Sequence, residues 1–467
     1  MRQALLVVLA LVLVVSASVV VLRLHRTHPV QTADRSSRPN IVFILTDDQR
    51  ENEMMAMPET RSLIYKHGVR FTNSFVSDSL CCPSRATILT GLYASHTGVW
   101  RNFPPSGGFD SFHDKSTIAT WLQPTYTTAL IGKYLNNYGQ HLHYVPPGWD
   151  YWFALNHVAY YNYKISDNGK PESFGSAPHD YSTNVLTTQA VDFIHRTKGP
   201  FFLYFAPIAP HRPSTPYPTD QGAYAHIKPW RPPSYAKANA LDPPYIRHIV
   251  WTQQDTVETD QLRIDMLETL RDADRQVARV IQALSDTGRL SNTLIIFMSD
   301  NGWLWGEHRW MKKSVPYEEA IRVPMAMRWD DGGVPAGAAI SQLVNNADIA
   351  PTIAQAAGVT PPTHVDGMSL LPLVRGQTTK WRTSFPLEHM VSRYGGPAES
   401  GPSYCGVRTE QYMYTRYSGG FQEVYNLKND PYELQNISPQ KPALTAKLRA
   451  LAMKECDPPP PGYSWGS

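Results

Sequence analysis

Two pairs of oxygen-bearing side chains stand where apolar runs stop. The stretch IVFILTDDQ passes from five apolar residues through Thr46 into Asp47 and Asp48, and NTLIIFMSDNG passes through Ser299 into Asp300 and Asn301. Carboxylates and a side-chain amide offer a cation only oxygen. That donor set suits a hard divalent ion, and Ca2+ fits it better than a transition metal does. Taken separately, either pair reads equally well as an ordinary turn after a strand, where Asp and Asn are common. Gln49 lies next in the chain and is assigned no ligand role.

The stretch SLCCPSRATILTG, residues 79–91, holds two of the four cysteines side by side. Pro83 suits the first turn of a helix and Gly91 the position just past its end, which puts Cys81 at or before the N-cap. A side chain there faces unpaired backbone N–H groups and the positive end of the helix dipole. Arg85, one turn along, adds a planar cation with several donors. The local design favours a tetrahedral oxyanion. His211, in APHRP after another apolar run, is a group suited to proton transfer near neutrality.

The elements that must position these groups follow from the same runs. Residues 41–45, 201–206 and 294–298 are short, continuous and apolar, as strands buried on both faces of a mostly parallel sheet are. Helical patterns alternate with them, DQLRIDMLETLRDADRQVARVIQALSDTG being one, with Gly288 as its stop. The expected fold is α/β: a large mixed, mostly parallel sheet sandwiched by helices, with a smaller C-terminal subdomain of antiparallel strands plus helix. The Tyr-rich alternation of YCGVRTEQYMYTRYSGGFQEVYNL carries that last expectation. The boundaries read as 1–36 for leader and linker, 37–375 for the catalytic α/β domain and 376–467 for the C-terminal subdomain. Polar residues at the carboxyl ends of strands are where open α/β sheets bind their ligands. The proline-rich, aromatic residues 217–245 read either as a loop over that rim or as an excursion packed by its own aromatics.

A chain of 467 residues that is 42% hydrophobic and 18% charged has room for one large α/β domain and a smaller one. Its formal charge of +3 is too small and dispersed to imply a nucleic-acid surface. Residues 4–22 form an uncharged apolar run behind an early positive charge, an export signal that is either cleaved or kept as an N-terminal membrane anchor. The body is expected outside the cytoplasm: secreted, periplasmic or held at the cell surface. Disulfides persist there, and Cys405 and Cys456 are the expected pair, because adjacent cysteines such as Cys81 and Cys82 rarely bridge each other.

The string C-x-P-S-R followed by TG, here CCPSRATILTG, resembles the signature of the type I, formylglycine-dependent sulfatases of the alkaline-phosphatase-like superfamily. The resemblance implies that Cys81 is oxidised to formylglycine by a formylglycine-generating enzyme, that its hydrated aldehyde is the nucleophile, and that Cys82 is a bystander. IVFILTDDQ looks like the family's metal-binding strand, GKYLNNYG its lysine segment and APHRP its histidine. SDNGWLWGEHRWMKKSVPYEEAIRVPM looks like its second metal pair with a further lysine, and ADIAPTIAQAAG and EVYNLKNDPYELQN like its later landmarks. By this likeness one Ca2+ is held by Asp47, Asp48, Asp300, Asn301 and the modified Cys81, while Arg85, Lys133, His211 and Lys313 are catalytic. Lys313 is preferred to Lys312 because it stands four residues before Tyr317, as in the family's K-x-x-x-Y. The implied cycle starts with one geminal hydroxyl attacking sulfur and releasing an alcohol; the second hydroxyl then loses its proton and expels sulfate.

The chain departs from the family in one place. Many sulfatases carry a histidine two residues after the lysine, where Leu135 stands here, so the base of the second step must come from elsewhere; Asn136, His96 and His308 are the candidates. GKYLN and VPPGWDYW resemble the branch of N-acetylglucosamine-6-sulfatases, arylsulfatases and related extracellular glycan sulfatases. The expected substrate is an aryl sulfate or a sulfated sugar. Two other readings stand beside it: a phosphonate or phosphate ester hydrolase of the same superfamily, and a non-catalytic protein that binds sulfated glycan.

Overall fold

In the computed structural model, which describes residues 38–378, 380–392 and 401–466, the three apolar runs lie side by side at the centre of one sheet. The apolar run 4–22 lies outside the described residues. Pro39–Ser467 forms one unit. Its main sheet has ten strands: β1 (Asn40–Thr46), β2 (Val69–Phe71), β3 (Thr127–Gly132), β4 (Tyr151–Leu155), β5 (Lys164–Asp167), β6 (Lys170–Ser173), β7 (Phe201–Ala206), β8 (Thr293–Ser299), β9 (Met325–Arg328) and β10 (Ala338–Ile340). Their order is β10-β2-β9-β8-β1-β7-β3-β4-β5-β6. The central five, β8-β1-β7-β3-β4, are all parallel. Antiparallel pairings of β9 on one side and β5 and β6 on the other make the sheet mixed.

Burial on both faces explains why the central strands are continuously apolar. Ile41, Phe43 and Leu45 of β1 enter one core while Val42 and Ile44 enter the other, and β7 and β8 divide their residues in the same way. The first face is covered by α1 (Cys81–Thr90) and α4 (Ile349–Ala357), through Ile88, Leu89, Ile349 and Ile353. The second face is covered by α2 (Ser182–Arg196) and α3 (Gln253–Asp286), through Leu186, Phe193, Leu270, Val277 and Leu284. Helix α3 starts earlier than its apolar periodicity suggests. Its polar first turns, QQDTVET, are fixed by a cap in which Thr252 Oγ1 accepts the Asp255 N–H at 3.1 Å and Asp255 Oδ2 accepts the Thr252 N–H at 2.8 Å. Gly288, at φ +66°, ends it as expected.

The C-terminal strands β11 (Ser384–His389), β12 (Tyr404–Thr409), β13 (Tyr412–Tyr417) and β14 (Gln422–Asn426) form a separate antiparallel sheet in chain order. β11 was not legible because Pro386 interrupts it; the strand lies at the sheet edge, where a missing N–H is tolerated. Helix α5 (Pro442–Glu455) packs Leu448 and Ala452 on Val407, Tyr414 and Val424. Cys405 and Cys456 are disulfide-bonded, with Cα atoms 6.0 Å apart, and so tie β12 to the end of α5.

This small sheet reaches the neighbourhood of the main sheet's functional edge through a buried carboxylate. Glu423 accepts the hydroxyls of Tyr317 at 3.1 Å, Tyr425 at 2.6 Å and Tyr417, and burial pushes its carboxyl up to about 7. A carboxyl raised above its unfolded value holds its proton more tightly when folded, so folding stability falls as pH rises from about 4.5 towards 7. Glu423→Gln is expected to flatten that part of a stability-against-pH curve measured by urea unfolding. Replacing both Cys405 and Cys456 by Ser is expected to lower unfolding free energy by up to about 4 kcal/mol, the loop-closure value for a 51-residue separation.

Candidate active site

Four adjacent parallel strands deliver the site at their carboxyl ends. β1 and β8 pair in register through Thr46 and Ser299, so the residues that follow emerge together, and the Asp300 N–H bonds Thr46 O at 3.1 Å. Asp48 takes a left-handed conformation, φ +69°, which turns its N–H onto Asp300 Oδ1 at 3.1 Å. Gly302 permits the turn after Asn301: a Cβ there would lie 2.2 Å from Glu319 O. On the other side, β7 leads to His211 and β3 leads to Lys133. Gly132, at φ +126°, lets β3 close on β7, where a Cβ would meet Ala206 O at 2.1 Å and the Lys133 N–H bonds that oxygen at 2.8 Å.

Helix α1 brings Cys81 to this edge as its first residue, with Leu80 at the N-cap and Gly91 ending the helix at φ +74°. Cys81 is therefore one position inside the cap rather than at it. Its Sγ lies 2.8 Å from Lys313 Nζ, 3.5 Å from Asp47 Oδ1 and 4.0 Å from Asp48 Oδ1. Lys313 Nζ also bonds Asp48 Oδ1, and Lys133 Nζ bonds Asp47 Oδ2 at 2.6 Å. Arg85 is fully buried and spans the site, with Nε on Asp300 Oδ2 at 2.7 Å and a guanidinium nitrogen on Lys133 O at 2.7 Å. Asn301 Nδ2 donates to Asp48 Oδ1 at 2.7 Å. His211 places Nε2 3.6 Å from Asp48 Oδ2 and is oriented by Nδ1 on Arg212 O at 2.6 Å. The nine residues expected to bind the metal or act on the ester, Asp47, Asp48, Cys81, Arg85, Lys133, His211, Asp300, Asn301 and Lys313, thus belong to one connected cluster.

Charge compensation holds the cluster together. Burial alone would raise the Asp47 carboxyl, but Lys133, His211 and Arg85 hold it well below the usual range; Lys313 and His211 do the same for Asp48. Burial pushes the Cys81 thiol up to about 12 despite Lys133 and Lys313. A thiol so reluctant to ionise is a poor nucleophile in its own right.

The donor set fits the expected cation. Asp47, Asp48, Asp300 and Asn301 present only oxygen, and Asp48 Oδ2 and Asn301 Oδ1 are buried without a hydrogen-bond partner among the described residues. Gln49 is not part of the set: Thr46 Oγ1 donates to its Oε1 at 2.7 Å and its Nε2 faces the sulfurs of Met54 and Met57, both at 3.2 Å.

The two histidine candidates for the missing base lie apart from Cys81. Leu135 is buried in the apolar core, and His96 bonds Asp366 Oδ2 at 2.7 Å on a partly exposed turn. His308 stacks on Tyr317 and groups with Glu319 and Glu433 rather than with Cys81. Asn136 Oδ1 is buried without a hydrogen-bond partner among the described residues.

Sequence reasoning missed the groups that lock the two loops against each other. Ser79 Oγ bonds Val315 O at 2.9 Å and the Ser314 N–H bonds Ser79 O at 3.1 Å, which sets Lys313 beside Cys81. Trp303 lies beneath the ammonium, its ring centre 5.9 Å from Lys313 Nζ. The aromatics of residues 217–245 pack on other parts of the chain: Tyr217 on Tyr181, Tyr235 on Trp251, and Tyr245 on Trp310 and Tyr417. Trp230 Nε1 bonds Glu307 Oε1 at 2.7 Å, Arg231 pairs with Asp260 at 2.6 Å, and Arg50 sits 5.6 Å over the Trp230 ring while pairing with Glu307.

The fold and this cluster define a class, the sulfuric ester hydrolases of the alkaline-phosphatase-like type. Residues 39–359 match the model of the Sulfatase family, and residues 306–455 match that of the N-sulphoglucosamine sulphohydrolase C-terminal region. The human N-acetylglucosamine-6-sulfatase is 33% identical over 473 residues, covering 90% of this chain and 85% of that protein. A putative extracellular sulfatase Sulf-1 homolog of Caenorhabditis elegans is 37% identical over 353 residues, 72% of this chain; the match spans 49% of that longer protein. The structure of BT4656 in complex with its substrate, D-glucosamine-2-N,6-O-disulfate, superposes with a TM-score of 0.79 at 25% identity, over 90% of this chain and 98% of that one. The chain belongs to the sulfatase family, in the branch of N-acetylglucosamine-6-sulfatases and arylsulfatases.

Arg85 has no substitute in this geometry, because an ammonium cannot reach Asp300 and Lys133 O at once. Arg85→Lys is expected to cost about 3 kcal/mol of stability by stranding a buried carboxylate. Thermal unfolding of the purified variant measures it.

Proposed function

We propose that this protein hydrolyses a sulfate ester on a sugar, of the amino-sugar 6-O-sulfate kind, to the free alcohol and inorganic sulfate. The observation that carries the reading is the position of Cys81 Sγ, 2.8 Å from Lys313 Nζ and 3.5 Å from Asp47 Oδ1, at a helix start facing the oxygen donors. The sugar is suggested by the substrate of BT4656 and by the name of the human relative. When Cys81 is oxidised to formylglycine and Ca2+ is held by Asp47, Asp48, Asp300 and Asn301, the pair supplies a hydrated aldehyde as nucleophile and a Lewis acid.

The roles of the other residues follow from charge. Asp47, Asp48 and Asp300 are balanced by Arg85, Lys133 and Lys313. A divalent cation in addition leaves the pocket positive, which favours an anionic ester and its more charged transition state. Lys313 and Lys133, on either side of Cys81, hold the sulfate oxygens, and Arg85 fixes Asp300 and Asp47 from beneath. His211 is the imidazole grouped with Asp47, Asp48 and Cys81 within 4.8 Å, and its Nε2 is the atom that delivers a proton to the bridging ester oxygen. With Leu135 in place of the usual histidine, the same imidazole is the one placed to take the proton in the second step.

The protein is exported, in keeping with the Cys405–Cys456 disulfide and the extracellular relative, and passes a formylglycine-generating enzyme on the way. Residues 376–467 act as the C-terminal subdomain, and the membrane is met only through the N-terminal run if that is retained.

Peptide mass spectrometry across residues 70–101 of active protein is expected to show residue 81 lighter by the difference between hydrogen sulfide and one oxygen atom; an unaltered thiol in active protein overturns the mechanism. Turnover of 6-O-sulfated N-acetylglucosamine is expected to exceed that of matched phosphate and phosphonate esters, and turnover of the phosphorus esters alone would overturn the sulfatase reading. Chelation is expected to abolish activity and Ca2+ to restore it. His211→Ala is expected to lower kcat by about 100-fold or more, with a smaller loss on aryl esters, whose leaving groups need less protonation.

A further inference from the structure

A second set of ligating side chains meets away from the catalytic cluster. His308 comes from the loop after β8, Glu319 from the short helix Glu318–Ile321 and Glu433 from the segment after β14. One ligand atom of each lies within 4.8 Å of the other two. His308 and Glu433 are 2% and 1% exposed, while Glu319 is half-buried. His308 Nε2, Glu319 Oε2 and Glu433 Oε1 are all buried without a hydrogen-bond partner among the described residues.

Other contacts hold the three in place. The His308 ring stacks on Tyr317 at 4.0 Å, and the His308 backbone N–H bonds Ser234 O at 2.8 Å. Glu433 Oε2 accepts the Glu318 N–H at 2.9 Å, and Glu319 O accepts the Trp303 N–H at 2.9 Å. The neighbouring cations are engaged elsewhere: Arg408 on Glu318, Arg50 on Glu307 and Arg309 on Asp242, each at 2.7 Å. Glu319 and Glu433 thus have no ion-pair partner among the described residues. Two uncompensated carboxylates beside an imidazole nitrogen are costly unless a proton or a metal ion joins them.

We infer that His308, Glu319 and Glu433 form a second metal site, one that takes a divalent ion of the zinc class. The imidazole nitrogen selects that class over Ca2+ and Mg2+, and two carboxylates neutralise a dication. Tetrahedral binding needs donor atoms about 3.3 Å apart, closer than the 4.8 Å that bounds the three here, so the side chains must draw in around the ion. The ion would clamp the C-terminal segment, through Glu433, to both sides of the loop that carries Lys313. The site is structural and stands independently of the proposed sulfatase chemistry.

The test uses the full mature protein in excess Ca2+, stripped of first-row metals with a zinc-selective chelator and then exposed to zinc chloride. Wild type is expected to retain one zinc per chain after desalting, to gain thermal stability, and to show imidazole and oxygen ligands without sulfur by X-ray absorption at the zinc edge. Glu319→Gln and His308→Gln are each expected to lose that zinc and the thermal shift. Stripped Glu319→Gln should melt close to stripped wild type, since glutamine keeps the shape and polarity of the protonated side chain, which shows that the variant folds. Wild type that retains no zinc, or retains it equally in both variants, overturns the proposal.

Discussion

Three carboxylates, Asp47, Asp48 and Asp300, lie fully buried at one edge of the sheet, and the rest of the site exists to make that tolerable. Two parallel strands in register force them together, since residues after Thr46 and Ser299 have nowhere else to emerge. Buried charge of one sign demands compensation. It comes from three different parts of the chain: Arg85 on a helix, Lys133 at the end of β3 and Lys313 on a loop. The cations proposed to hold the ester are the same side chains that serve as counter-ions, so neither can be removed without uncovering a buried carboxylate.

Cys81 shows what this arrangement does to a reactive group. The thiol sits between cations that favour its ionised form, yet burial outweighs them and keeps it protonated. A site that suppresses a thiolate is badly arranged for sulfur nucleophilicity, which agrees with the proposal that residue 81 acts in an uncharged, oxidised form. The loop carrying Lys313 is kept against the helix start by Ser79 and Val315, and against the C-terminal sheet by Tyr317 on Glu423. The small sheet is thereby connected, through two residues, to the ammonium beside Cys81.

Residues 217–245 illustrate how composition underdetermines placement. Their prolines and aromatics were compatible with a self-packed excursion, but Trp230, Arg231 and Tyr235 find partners on α3 and around the buried Arg50–Glu307 pair. Those partners lie tens of residues away, and no local pattern announces them.

The order of strand, acidic pair, cysteine-headed helix, lysine, histidine and second acidic pair was legible along the chain, because each motif is local: an apolar run ends in polar residues, a helix carries Pro83 in its first turn and stops at Gly91. The central strands were legible for the same reason, since burial on both faces leaves an unbroken apolar signature. The edge strand holding Pro386, the polar first turns of α3 and the ten-strand order were not, because pairing partners and capping contacts fix them rather than residue type. Only the tertiary structure decided that His308 joins Glu319 and Glu433 instead of Cys81, and that Arg85 bridges Asp300 to the backbone of Lys133. Sequence specifies which groups a chain can offer; distance in space, set by strand register and loop closure, selects the ones that meet.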